Sequence, residues 1–293
     1  MVISNVIGGL GNQMFQFAAG AALARRRGVS HLLDVSDYQG YRLHHGFELS
    51  RAFDLDVPMA REEEVRAVLG WRGRRLIRRV FAGRALAPFR PPGYVLEPHF
   101  HYWGGIGSVP SKAYLCGYWQ SERYFEDCRD VVRQWFRFRT PPQNSRDDWL
   151  PRIRDCSSVS VHVRRGDYAA NPGSLSMHGT LDVAYYARAA AAIRERVERP
   201  QFFVFSDDVQ WARSEVTLGV DTFYVSRERD SSSHRDLQLI SLCKHHIIAN
   251  STFSWWGAWL SSHGEKVVVG PRRWFAGITA DTRDLLPSTW ITT

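Results

Sequence analysis

The chain is short of cysteine, of lysine and of long apolar runs, and each shortage excludes something. Four cysteines, Cys116, Cys128, Cys156 and Cys243, occur in 293 residues, and no two form a CxxC pair. That excludes a disulfide scaffold and a cysteine-built metal site, and it fits free thiols in a reducing compartment. No apolar run approaches the roughly 20 residues that cross a bilayer. The opening MVISNVIGGLGNQMF has no basic flank ahead of its apolar stretch, unlike a signal peptide. The expectation is a soluble cytoplasmic protein, with peripheral contact to the inner face of an anionic membrane as its one membrane option. Phosphate motifs are missing too. GGLGNQ lacks both the GxGxxG spacing and the GK[ST] ending, so its glycines alone do not make a dinucleotide loop.

Positive charge is plentiful. The net formal charge is +8, which draws nucleic acid, an anionic membrane or a small anionic substrate. No nucleic-acid module accompanies it, and the aromatic residues fall in apparent core helices, so nucleic acid is not expected as a partner. Only Lys112, Lys244 and Lys266 are lysines among the 38 basic residues, an arginine bias that genome composition explains as readily as function. Residues 61–90 hold nine arginines against three glutamates. Such a segment is either a helix lying on an anionic bilayer or a solvated helix packed on its own protein.

The pattern of apolar residues is α/β. VISNVI (2–7) reads as a strand, GGLGNQ as a glycine-rich loop, and MFQFAAGAALARRRG as a helix stopped by Gly28. VSHLLDVS reads as the next strand, completing the start of a βαβ unit. AYLCGYWQSERYFEDCRDVVRQWFRF (113–138) reads as a strand, then a helix from Ser121. Residues 139–155, with Pro141 and Pro142, carry the domain boundary, giving domains 1–150 and 151–293. The second half alternates clearly. SSVSVHV, QFFVFSDD, HIIAN and KVVVGP are strands. Between them lie helices capped by Asp182, at HRDLQLISLCKH, and at STFSWWGAWLSSHG, closed by Gly264. Strands alternating with helices imply parallel sheets of Rossmann type.

Three strand ends in this half carry polar groups: His162 to Asp167, Ser206 to Asp208, and Asn250 to Ser254. Ligands of open α/β sheets bind beyond the carboxyl ends of strands, so three such clusters point to one site. In VHVRRGD, Val161 and Val163 face one way, His162 and Arg164 the other. Arg164 is a rigid fork suited to phosphate or carboxylate. Asp167 pairs naturally with Arg165, so an internal Arg–Asp network without a ligand is the simpler alternative. Asp207 and Asp208 suit a ribose, a base edge or a helix cap, and no third acid or histidine supports a metal. Ser251, Thr252 and Ser254 open a helix whose first turn has unpaired N–H groups, a site that receives phosphate well. Asn12 and Gln13 can orient a sugar or cap the following helix.

Five blocks carry a family resemblance: GGLGNQMFQFAAG (8–20), GYWQSERYF (117–125), HVRRGDY (162–168), FVFSDD (203–208) and CKHHIIANSTFSWWGAWL (243–260). In this order they resemble the α-1,2-fucosyltransferases of glycosyltransferase family 11, as does YVLEPHFHYW (94–103). The resemblance implies a GT-B glycosyltransferase, with two Rossmann-like domains facing across a cleft. It further implies inverting, metal-independent transfer of L-fucose from GDP-β-L-fucose to the 2-OH of a terminal β-galactoside. No other cofactor is implied. The first domain would receive the acceptor, an oligosaccharide of a bacterial surface polymer, and the second the donor. Arg164 would contact the leaving diphosphate. Arg165, Ser251, Thr252 and Ser254 would line its site with His162, while Asp207 or Asp208 would read guanine or ribose. Asn12 and Gln13 would orient a sugar. Asp167 is the candidate base for the acceptor hydroxyl, with Glu97 and His99 as alternatives. The rivals are a GDP-fucose enzyme of different linkage and a non-catalytic sugar-nucleotide binding protein.

Overall fold

The computed structural model describes residues 1–39, 46–81, 83–141, 149–165, 176, 179–225 and 233–293. They form two compact units, Met1–Arg139 with Asp281–Leu285, and Thr140–Ala280 with Leu286–Thr293. The short return to the first unit is tied by Asp284, which pairs with Arg123 at 2.9 Å and accepts the Tyr102 N–H at 3.1 Å.

The first unit contains β1 (Val2–Asn5), α1 (Leu10–Arg27), β2 (His31–Asp34), α2 (Leu49–Ala52), α3 (Glu62–Leu69), α4 (Arg75–Phe81), β3 (Tyr94–Leu96), β4 (Ala113–Cys116) and α5 (Arg129–Trp135). Its strands pair in parallel in the order β2-β1-β4-β3. Helix α1 begins at Leu10, so most of the expected glycine loop is already its first turn. It stops where the sequence says, at Gly28 with φ 62°, a left-handed cap open to glycine at little cost. The helix expected from Ser121 is instead two 3-10 turns, Glu122–Tyr124 and Glu126–Cys128, before α5. Tyr124, Phe125 and Cys128 are all buried there. Their i, i+1, i+4 spacing is also that of one face of an α-helix, which is why the sequence reads as one.

The second unit contains α6 (Trp149–Arg154), β5 (Ser157–Val163), α7 (Val183–Arg194), β6 (Pro200–Ser206), α8 (Val209–Glu215), β7 (Thr222–Tyr224), α9 (Ser233–Leu242), β8 (His245–Ile247), α10 (Thr252–Leu260), β9 (Val268–Gly270) and β10 (Ile291–Thr292). Its six parallel strands run β7-β6-β5-β8-β9-β10, the doubly wound order in which the first strand lies at the centre. Alternation along β5 and β6 splits the core as a two-faced sheet requires. Val159, Val161, Val163, Phe202 and Val204 pack with Tyr185, Tyr186 and Ala189 of α7. Phe203 and Phe205 pack on the other face with Ile153 of α6 and with Leu239 and Ile240 of α9. Asp182 caps α7 as its sequence position predicts, accepting the Tyr185 N–H at 2.7 Å. Helix α10 ends at Leu260, short of Gly264.

Candidate active site

Each unit presents polar side chains where its strand order reverses. In the second unit the chain steps from β5 to β6 and β7 on one side, then returns to β8 on the other. The carboxyl ends of β5 and β8 are therefore a switch point, the place where open α/β sheets bind ligands. Arg164 and Arg165 leave β5 there, and Asn250–Ser254 leave β8. Register brings in the third cluster, because Val163 pairs with Ser206 at the end of β6.

Asp207 organises this edge. Its Oδ1 accepts the Arg165 N–H at 2.9 Å, and its Oδ2 lies 3.4 Å from Arg164 Nε. Both side chains of the ion pair are largely shielded, 20% and 12% exposed, so the carboxylate fixes the guanidinium more firmly than a surface pair would. The Arg165 guanidinium sits 4.4 Å from the centroid of the Trp211 ring, a cation–π contact. His162 is buried, its ring 5.6 Å from that of Phe253, and its carbonyl accepts the Tyr186 hydroxyl at 3.3 Å. Its backbone thereby ties the strand end to α7. Asp167 lies outside the described residues.

Two of the expected phosphate or base contacts also bond within the protein. Asp208 Oδ1 accepts the Trp211 N–H at 3.1 Å and caps α8. Ser254 is fully buried. Its hydroxyl donates to the Ser251 carbonyl at 3.1 Å and accepts the Ala249 N–H at 3.2 Å, stitching the exit of β8 to α10. Ser251 is the N-cap of α10 but makes no side-chain cap bond, and Thr252 begins the helix beside it. Those two hydroxyls and the first-turn N–H groups are what this helix end offers an anion. Burial pulls His245 down to about 4 and His246 well below the usual imidazole value.

In the first unit the reversal lies between β1 and β4. Asn12, in the first turn of α1, accepts the Gln120 side-chain N–H at 3.0 Å, so one hydrogen bond spans the switch point. Gln13 is fully buried and committed: its amide donates to the Gly8 and Gly46 carbonyls at 3.0 and 2.8 Å, and its oxygen accepts the Glu48 N–H at 2.9 Å. It braces the loop and does not face a sugar. Gln16, which sequence reasoning passed over, does the same between Ile7 N–H (3.0 Å) and the Gly117 carbonyl (3.1 Å).

Glu97 follows β3 at the same edge. Its two carboxylate oxygens accept the N–H groups of Tyr118 (2.7 Å) and Trp119 (2.9 Å). Residue 117 must be glycine here, since a Cβ would lie 2.4 Å from Glu97 Cβ. Trp119 is buried with φ 55°, a left-handed conformation that costs a bulky residue about 1–3 kcal/mol and clusters at functional sites. Burial pushes the Glu97 carboxyl up to about 7, outweighing the two backbone hydrogen bonds that pull it down. His99 is exposed, stacked on His101 with ring centroids 3.6 Å apart. Among the described residues no group of three or more metal-ligating side chains is assembled.

Comparison with known proteins identifies the family. The sequence model described as glycosyl transferase family 11 matches residues 101–291. An alpha-1,2-colitosyltransferase of Escherichia coli is 35% identical, covering 99% of this chain and 98% of that protein. The O-antigen biosynthesis glycosyltransferase WbnK of Escherichia coli is 31% identical over 92% and 93%. A galactoside 2-alpha-L-fucosyltransferase of Bos taurus is 26% identical over 88% of this chain and 63% of its own. Among solved structures, fucosyltransferase NodZ from Bradyrhizobium aligns with a TM-score of 0.53 at 16% identity, covering 87% and 91%. At that identity the likeness shows the fold alone, and the fold is GT-B, as the motifs imply.

Proposed function

The chain belongs to glycosyl transferase family 11, and from that premise we propose that it is an inverting α-1,2-fucosyltransferase. It transfers L-fucose from GDP-β-L-fucose to the 2-OH of a terminal β-galactoside in a bacterial surface oligosaccharide. The observation that carries this reading is Arg164, held by Asp207 at the switch point of the second unit beside the N-terminus of α10. Breaking the sugar–phosphate bond leaves GDP with added negative charge. A fixed guanidinium and a helix N-terminus aimed at that charge favour the transition state without reorganising.

In this reading the second unit holds the donor and the first unit the acceptor. Arg164 takes the diphosphate, with Arg165, Ser251 and Thr252 as further contacts. Asp207, Asp208, Ser254 and His162 hold those contacts in place. Asn12 and Gln120 orient the acceptor sugar, with Gln13 shaping their loop. The similarity of the fold to NodZ, a protein solved after soaking with GDP-fucose, supports a nucleotide-sugar donor. A chelator leaves transfer unchanged if the guanidinium does this work. Activity lost with EDTA and restored by one divalent ion would end that assignment. Peripheral contact of residues 61–90 with an anionic membrane completes the reading.

One observation favours a second donor. The colitosyltransferase covers nearly the whole chain, and colitose is fucose without its 3-hydroxyl. A site that hydrogen-bonds a hydroxyl rejects the deoxy sugar by roughly 10⁴-fold, whereas an apolar site rejects the hydroxyl by only about 10²-fold. Competing GDP-fucose against GDP-colitose on β-galactosides, with linkage analysis of the product, decides both points. A fucosyl product at the 2-OH is expected. A product at the 3-OH or 6-OH rules out the linkage, and strong preference for GDP-colitose rules out the donor.

A further inference from the structure

We propose that residues 65–90 of the first unit are a docking surface for an anionic lipid bilayer, with Trp71, Val80 and Phe89 entering among the headgroups. The proposal deepens the membrane contact named above and rests on that reading for its purpose; its observations are independent of it. From Val65 to Arg90 the sequence has eight arginines and no acidic residue. Within the same stretch three large apolar side chains stand in solvent: Trp71 is 60% exposed, Val80 59% and Phe89 61%.

Packing shows why they point outward. Arg78 of α4 is buried and pairs with buried Asp34 at 2.8 Å, and the Tyr114 hydroxyl donates to the same carboxylate at 2.8 Å. That anchor fixes which face of α4 turns inward. Val80 lies two residues on, about 200° around the helix, and must face away from the protein. The flanking turns pack on α4 through buried Phe81. Trp71 lies 6.5 Å from Phe81 between ring centroids, the Arg72 guanidinium covers both rings at 4.8 and 5.7 Å, and Arg90 Nε donates to the Phe81 carbonyl at 2.8 Å. Arg74 is exposed alongside, as is Arg66, which pairs with Glu62 at 3.9 Å.

A bilayer fits this chemistry. Separate aromatic and aliphatic anchors set among guanidinium groups suit an interface of phosphates over acyl chains. A protein partner would call for a contiguous apolar patch.

Flotation of the full chain with phosphatidylcholine vesicles, with and without phosphatidylglycerol, tests this. Binding is expected only with phosphatidylglycerol, and salt should release it. Arg66→Glu with Arg74→Glu should weaken it by more than about tenfold, given roughly fivefold per charge. Trp71→Ser with Phe89→Ser should weaken it by on the order of tenfold. Transfer to a free soluble galactoside should be unchanged in both. A wild-type chain that stays off phosphatidylglycerol vesicles, or a double serine variant that floats like wild type, overturns the proposal. The galactoside assay stands apart: its failure in the wild type sinks the transferase reading and leaves the vesicle result as it is.

Discussion

Arg164→Ala lowers the turnover of fucosyl transfer by on the order of 10³-fold while the protein stays folded. The size follows from the role. A donor aimed at charge that develops in the transition state is worth about 10²–10³ in rate, and a guanidinium on a leaving phosphate about 10³ or more. The fold survives because Asp207 keeps the Arg165 N–H at 2.9 Å and the lost side chain lies at a strand end, outside both core clusters. Arg164→Lys should recover little, since a point charge cannot reproduce the planar fork that Asp207 orients. Asp207→Asn should fall between wild type and Arg164→Ala, because it loosens the guanidinium without removing it. Single-turnover rates beside melting curves read all three. Near-normal transfer by a folded alanine variant would remove Arg164 from the mechanism.

The second unit was the more legible half of the sequence because its signals are local. Asp182 caps its helix through a bond three residues away, and β5 alternates cleanly between valines and polar residues. The three strand-end clusters sit on β5, β6 and β8, strands that lie side by side. What was not legible depends on partners distant in sequence. β7 and β10 are three-residue and two-residue edge strands, too short to show a period. Gln13 and Ser254 belong to polar clusters that look like ligand contacts, yet their hydrogen bonds close inside the protein. The first unit's site hides for the same reason. Glu97 meets Tyr118 and Trp119 across about twenty residues of chain, and Asn12 meets Gln120 across more than a hundred.

That hidden carboxylate carries the last prediction. If Glu97 takes the proton of the acceptor hydroxyl, it must be ionised, so kcat/KM rises with pH and levels above about 7. The groups facing it explain the shift. Two backbone N–H groups lower the carboxyl and burial raises it more, while the Tyr124 phenol feels its charge. The sign for stability is opposite. The folded-state value lies above the ordinary 4.5, so the folded chain holds the proton more tightly. The stability that Glu97 contributes is therefore greatest at low pH and is lost as pH rises from about 4.5 through about 7. Glu97→Gln should flatten that dependence of the melting temperature. It should also erase the rise in kcat/KM and cut its plateau by roughly 10²–10⁴-fold. Glu97→Asp should keep the rise at reduced rate. A brace for the strained Trp119 alone predicts something else: the glutamine variant would lose activity evenly at every pH and keep the limb near 7. That limb, persisting in Glu97→Gln, would take the base assignment away from Glu97.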